Sequence, residues 1–214
     1  MTVRAPELPR ELEPIRRLPP GDPDDELELT GAHVEAELPL EPRRLRIREC
    51  ELQGVTLAAG QVRGLSLIDT ILADCDLSNV DAREGRLHRI EAHRSRLVGF
   101  ALSGGGVQDA RFVDCTLQLG AFAASGLRDV TFQGVDLVEC SFLEARLQGV
   151  EFVDCRLAGA DFRGAHLRDC TIRGSSLDGV LGVSSLRGVR MPWADVLGSA
   201  DALAAALGIE IAED

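Results

Sequence analysis

Every fifth residue from Ile47 to Leu177 is apolar, an unbroken run of 27 positions. The series opens Ile47, Leu52, Leu57, Val62, Leu67 and closes Leu157, Phe162, Leu167, Ile172, Leu177. Neither the 3.6-residue period of a helix nor the two-residue alternation of a strand keeps such a series on one face. A second column lies two residues before each of these centres and is mostly small, with Cys50, Val55, Gly85, Ala145, Ala160, Ala165 and Ser175 among its members. The other three positions of each unit are mostly Arg, Asp, Glu, Gln, Ser, Thr and Gly. Two inward columns and three outward ones predict a filled tube whose sides are five residues long.

Units such as Ala160-Asp161-Phe162-Arg163-Gly164, Cys75-Asp76-Leu77-Ser78-Asn79 and Val135-Asp136-Leu137-Val138-Glu139 resemble the A(D/N)Lxx signature of the pentapeptide-repeat family. The resemblance implies an all-β fold, a right-handed quadrilateral β-helix in which four units make one coil. The sequence supports four sides on its own account. From Phe112 the centres alternate Phe and Leu, so Phe112, Phe132 and Phe152 should stack on one side and Phe122, Phe142 and Phe162 on the opposite one. Coils stacked about 4.8 Å apart make a solenoid of nearly seven coils, roughly 32 Å long. Ala82 and Ala92 are undersized centres, and Ile90 and Phe100 in the small column are expected to refill the core beside them.

The repeat divides the chain. Residues 1–26 are acidic and proline-rich and read as a flexible segment, whereas 27–45 carry apolar residues outside the main register and read as a cap or imperfect first coil. Residues 46–179 are the β-helix. Residues 180–214 are a C-terminal cap, with Ser199 capping a short helix over Ala200 to Leu207 that Gly208 stops. A solenoid needs its open strand edges covered, and related tails in the family also dimerise, so a homodimer through this segment is implied by the resemblance.

Composition removes whole classes of chemistry. All 23 basic residues are arginine, so there is no Schiff-base, P-loop or kinase-type lysine. A net charge of −12 argues against direct nucleic-acid binding. No run is long and apolar enough to span a membrane and the start lacks a secretory core, so a cytoplasmic location is expected. The six cysteines, Cys50, Cys75, Cys115, Cys140, Cys155 and Cys170, all fall in the small inward column without a CxxC pair, and read as wall packing. His88, His93 and His166 lie in outward columns and His33 in the cap, as solvated side chains. Asp69, Asp74, Asp109, Asp114, Asp129, Asp154 and Asp169, two places after a centre, sit at corners, where Asp bonds nearby amides. Gly104-Gly105-Gly106 lacks the lysine and helix of a phosphate loop and reads as a thin stretch of wall.

Accordingly no catalytic, cofactor-binding or metal-binding residue is assigned, and no cofactor is expected. The sides differ in charge. The one centred on Ile47, Leu67, Leu87, Val107, Leu127, Leu147 and Leu167 carries Arg46, Arg48, Arg86, Arg89, Arg128, Arg146 and Arg168. The next holds Glu51, Asp74, Glu91, Asp114, Glu151 and Asp154. The reading is a non-enzymatic protein-binding or scaffold module whose partner the sequence does not name. The family resemblance offers a second one, a DNA mimic that binds DNA gyrase or another type II topoisomerase and modulates quinolone sensitivity. An enzyme with its site on the outer wall is the remote third.

Overall fold

The computed structural model describes residues 3–16, 26–35, 44–57, 60–62 and 64–212. Its strands are β1 Glu13–Ile15, β2 Glu26–Thr30, β3 Ala32–Val34, β4 Arg44–Gln53, β5 Gly60–Gln61, β6 Ser66–Ala73 and β7 Val80–Asp81. They continue as β8 Arg86–His93, β9 Gly106–Val113, β10 Gly126–Gln133, β11 Arg146–Gln148, β12 Glu151–Val153, β13 His166–Arg168 and β14 Thr171–Arg173. All the named pairings are parallel. Ile47 pairs with Leu67, Leu67 with Leu87, Leu87 with Val107, Val107 with Leu127, Leu127 with Leu147 and Leu147 with Leu167. Each step is twenty residues, so four five-residue units make one coil, and the solenoid has about seven turns.

The four walls are not built alike. The first wall, centred on Ile47 to Leu167, and the second, centred on Leu52 to Ile172, share the long strands β4, β6, β8, β9 and β10. The third and fourth walls turn at every unit. There the N–H of the residue three after a centre donates to the centre's carbonyl, as in Phe100 to Leu97 (3.1 Å), Gly120 to Leu117 (3.0 Å) and Ala145 to Phe142 (3.0 Å). The residue between, two after the centre, has positive φ, as a type II turn requires.

That corner position takes positive φ on every wall, and among the described residues all 16 non-glycine residues with positive φ occupy it. Each of the seven corner aspartates is among them. Their expected bonds to local amides belong to other aspartates. Asp76, Asp136 and Asp161, one place before a centre, accept the N–H two residues on, from Ser78 (2.9 Å), Val138 (3.2 Å) and Arg163 (3.0 Å). Aspartate suits the corner because it tolerates the left-handed backbone.

The core is the two inward columns. Of the 27 centres, only Leu167 is less than fully buried. Ile90 and Phe100 are 0% and 1% exposed, as the undersized Ala82 and Ala92 require. Phe112 stacks on Phe132 at 5.2 Å and Phe132 on Phe152 at 5.3 Å, while Phe122, Phe142 and Phe162 stack at 5.6 and 4.9 Å. The two ladders meet edge to face, Phe142 lying 5.8 Å from Phe152. Such pairs add about 0.5–1.5 kcal/mol each beyond area burial.

Both ends depart from the regular coil. Leu29 pairs with Ile47 and Val34 with Leu52, a step of eighteen residues, so the first coil lies outside the main register. β1 then covers β3 as the edge strand, with Pro14 at a position where a missing donor does least harm. Residues 3–16 belong to the segment whose composition reads as flexible; they run along the tube. The Glu7 amide donates to Asp69 Oδ1 at 3.0 Å and the Arg4 amide to Asp109 Oδ1 at 3.4 Å.

The register ends where Gly182 occupies a centre position, with φ 74°; a Cβ there would meet the Arg163 nitrogen at 2.5 Å. Among the described residues the cap contains a 3-10 turn at Val183–Leu186 and two α-helices, α1 Trp193–Gly198 and α2 Ala200–Ala206. Helix α1 is additional to the sequence reading. Ser199 does not cap α2 with its side chain. Its hydroxyl instead accepts the Leu177 N–H at 3.3 Å, and Asp195 accepts that of Gly174 at 2.7 Å, so the cap satisfies amides of the last coil.

Candidate functional site

The alternation of side chains along each strand sorts charge by column on the first wall. The two columns flanking its centres hold Arg46, Arg48, Arg86, Arg128, Arg146 and Arg168, all exposed. Between them come Ser66, Ile68, His88, Gly106, Gln108, Gly126, Gln148 and His166, and no carboxylate. The acids of this side, Glu49, Asp69, Asp109, Asp129 and Asp169, stand along one corner, and Glu84 and Glu144 of the fourth wall stand along the other.

Elsewhere most arginines are matched to acid. Arg94 grips Asp74 one coil below through two 2.8 Å bonds, and Arg156 meets Asp136 at 2.6 Å. Arg83 and Arg163 fold back onto Asp81 and Asp161 two residues away. On the first wall Arg128 reaches only the Gln148 amide oxygen, at 3.3 Å. Among the described residues, Arg48, Arg86 and Arg146 have no side-chain hydrogen bond or ion pair.

The wall is hollowed at its middle. A recess of about 970 Å³ is floored by Gly104, Gly105, Gly106 and Gly126 and rimmed by Arg86, Arg128 and Arg146. The thin stretch read from the triple glycine is this floor. Two of its glycines have steric or backbone reasons: Gly104 turns a corner at φ 71°, and a Cβ on Gly105 would lie 2.6 Å from the Gly85 carbonyl oxygen. Gly106 and Gly126 have neither, and a Cβ on Gly126 would meet nothing within 4 Å.

Residues 105–181 match the family described as "Pentapeptide repeat region". This stretch is a pentapeptide-repeat region. None of the curated proteins matches the chain. Its fold is similar to that of HetL, a pentapeptide repeat protein involved in heterocyst differentiation regulation from the cyanobacterium Nostoc sp. strain PCC 7120. That likeness has 19% identity and a TM-score of 0.45, over 86% of this chain and 92% of HetL. It is also similar to a trypsin-treated variant of QnrB1, a plasmid-mediated fluoroquinolone resistance protein, at 15% identity and a TM-score of 0.47, over 88% of this chain and 98% of that one. At these values neither role carries over.

The remaining candidates are structural. All six thiols are buried and free, and burial pushes the Cys115 thiol up to about 11 and that of Cys140 further. Most donate to a wall carbonyl, Cys75 to Leu52 at 3.3 Å and Cys155 to Phe132 at 3.4 Å. Among the described residues no three of His, Cys, Asp and Glu are placed to hold a metal ion, and no helix is long and apolar enough to cross a membrane.

Three of the histidines differ from the solvated reading. His33 lies between Glu35 and Glu51, 3.2 Å from each, and its ring is held above the usual imidazole range by the Glu35 bond first and Glu51 after it. His93 sits 3.3 Å from Glu91 and His88 3.8 Å from Asp109. The other exposed chemistry is apolar. At the cap, Trp193 is 73% and Leu207 78% exposed, with Leu197, Ile209 and Ile211 also open.

Proposed function

We propose that this chain is a non-enzymatic protein-binding module that docks a partner on its first wall. The observation that carries the reading is the contrast in arginine pairing. Walls two to four match most of their arginines to carboxylates, which leaves a solvated surface of small energetic worth. The first wall leaves Arg48, Arg86 and Arg146 uncompensated over a rigid sheet, so their donors are available to a partner. A photo-crosslinking residue at Gln108 on this wall should give protein adducts in intact cells, and one at Gln118 on the third wall should give far fewer. Equal yields from the two positions would end the reading.

The exposed apolar residues of α1, Trp193 and Leu197, and those just after α2, Leu207, Ile209 and Ile211, support pairing of two copies through the C-terminal segment. Light scattering should give a dimer that Trp193→Glu converts to monomer. A wild-type monomer at all concentrations rejects it. The DNA-mimic reading asks for a continuous acidic strip. The corner column Glu49, Asp69, Asp109, Asp129 is interrupted by Arg89, which is paired to Asp69. A gyrase supercoiling assay is therefore expected to show neither inhibition nor protection from quinolones.

A further inference from the structure

We propose that the recess in the first wall binds an extended acidic polypeptide segment. This rests on the reading of that wall as the docking surface and names the chemistry of what docks there.

Arg86, Arg128 and Arg146 each flank a centre of this wall, on coils that stack about 4.8 Å apart. Arg128 is thus two coils and Arg146 three coils from Arg86, roughly 10 and 14 Å along the tube. An extended chain repeats its side chains on one face every 6.8 Å or so, so about five residues span the three guanidinium groups. Each guanidinium presents a planar fork that takes a carboxylate through two parallel bonds. Arg86 and Arg146 have no such partner among the described residues.

The width of the site selects a single chain. Between the corner at Gly104 and the corner at Asp109 lie four residues of near-extended backbone, on the order of 10–13 Å. Glu84 and Glu144 stand along one edge and Asp109 and Asp129 along the other. A narrow peptide lies between these acidic rails and touches the arginines. A nucleic-acid duplex would press its phosphates against the exposed Glu84 and Glu144, and a net charge of −12 opposes any long polyanion.

The floor fits the same occupant. Glycine inside a strand costs about 0.5–1 kcal/mol relative to alanine and often marks close approach of a ligand or another backbone. Gly106 and Gly126 meet no steric or dihedral demand of the fold, yet they clear the ground between the arginines. The backbone groups of the floor are engaged in the ladder between β9 and β10, so recognition falls to the side chains on the rim.

The test uses the full-length protein and a labelled peptide of about ten residues alternating Glu and Ser, long enough to cover the arginine row. A matched Gln-Ser peptide and an oligothymidylate serve as controls, and binding is read by fluorescence anisotropy. The Glu peptide should bind saturably and weaken with added salt, and the Gln peptide should not bind. Arg86→Glu and Arg146→Glu should each weaken binding roughly tenfold, the scale of one lost charge-assisted contact. Gly126→Glu, which fills open space, should abolish binding at an unchanged melting temperature, and Arg187→Glu in the cap should leave binding intact. Absence of saturable binding, equal loss in the Arg187 variant, or tighter binding of the oligothymidylate overturns the proposal. Should Gln108 crosslinks persist while the peptide fails, this inference falls and the docking reading stands; should those crosslinks be absent, the docking reading falls.

Discussion

The carboxylate of Asp69 is held from above by the Arg89 guanidinium, one coil along, and from outside by the amide of Glu7. One buried acid thereby ties two consecutive coils to the N-terminal segment. Asp69 has φ 49°, so glycine suits the site conformationally and Asp69→Gly isolates the loss of the side chain. It should cost about 1.5–3 kcal/mol, the range for hydrogen bonds to a charged group. Asp69→Asn keeps an acceptor for Glu7 but loses the charge. Amide hydrogen exchange should therefore speed up at Glu7 in the glycine variant and far less in the asparagine one. A Glu7 amide already unprotected in the wild type would show that the segment is not held there.

The charged pairs give stability a two-sided pH dependence. Asp69 is held below its ordinary value by the Arg89 bond first, with burial opposing, and Asp161 likewise by Arg163. Asp74 falls from 3.8 to about 2, chiefly through Arg94. A carboxylate whose folded value is depressed stabilises the fold above its unfolded value, and that stabilisation is lost as pH falls through the folded value. The acid limb should thus begin below about pH 4 and still be falling near pH 2. His33 has the opposite sign: its value is raised above 6.5, so its contribution is present below 6.5 and fades as pH rises through the folded value. Urea midpoints measured from pH 2 to 9 should show both limbs, and His33→Gln should flatten the upper one alone.

The thiols should be silent until the tube opens. All six are buried, and burial disfavours the thiolate that reacts with disulfide reagents. Native protein mixed with such a reagent should release chromophore only at the rate of unfolding, and all six thiols should react promptly in denaturant. A fast-reacting fraction in native protein would place a cysteine outside the wall.

The tube was legible because a five-residue period admits one geometry, and because Phe at every second centre marks opposite walls. The corner aspartates were placed correctly for a reason that differs: φ at Asp74 or Asp114 is a backbone property, whereas the amide bonds belong to Asp76 and Asp136. Helix α1 carries a sequence signal of its own, since Pro192 precedes it, Asp195 lies in its first turn and Gly198 ends it. The course of residues 3–16 left none. Arg4 and Glu7 dock through their amides, which carry no side-chain pattern, and the acid-rich composition points to solvent. For the wall, the corner positions of its acids follow from the five-residue count, whereas the pairing does not: Arg89 reaches Asp69 and Arg168 reaches Asp169, while Arg86 and Arg146 are left unmatched among the described residues.

The floor of the recess separates glycines that the fold needs from those it does not. A methyl group on Gly105 would lie 2.6 Å from the Gly85 carbonyl oxygen and 2.8 Å from that of Leu102, backbone atoms that cannot swing aside. Gly105→Ala must shift two coils and should destabilise by about 1–3 kcal/mol, the usual range for overpacking. On Gly126 the same methyl enters open space at an ordinary φ, and alanine reduces the freedom of the unfolded chain. Gly126→Ala should leave stability unchanged or raise it by up to about 1 kcal/mol. Paired denaturation curves decide the matter. Equal losses in the two variants would mean that the coil spacing at the recess differs from the one described.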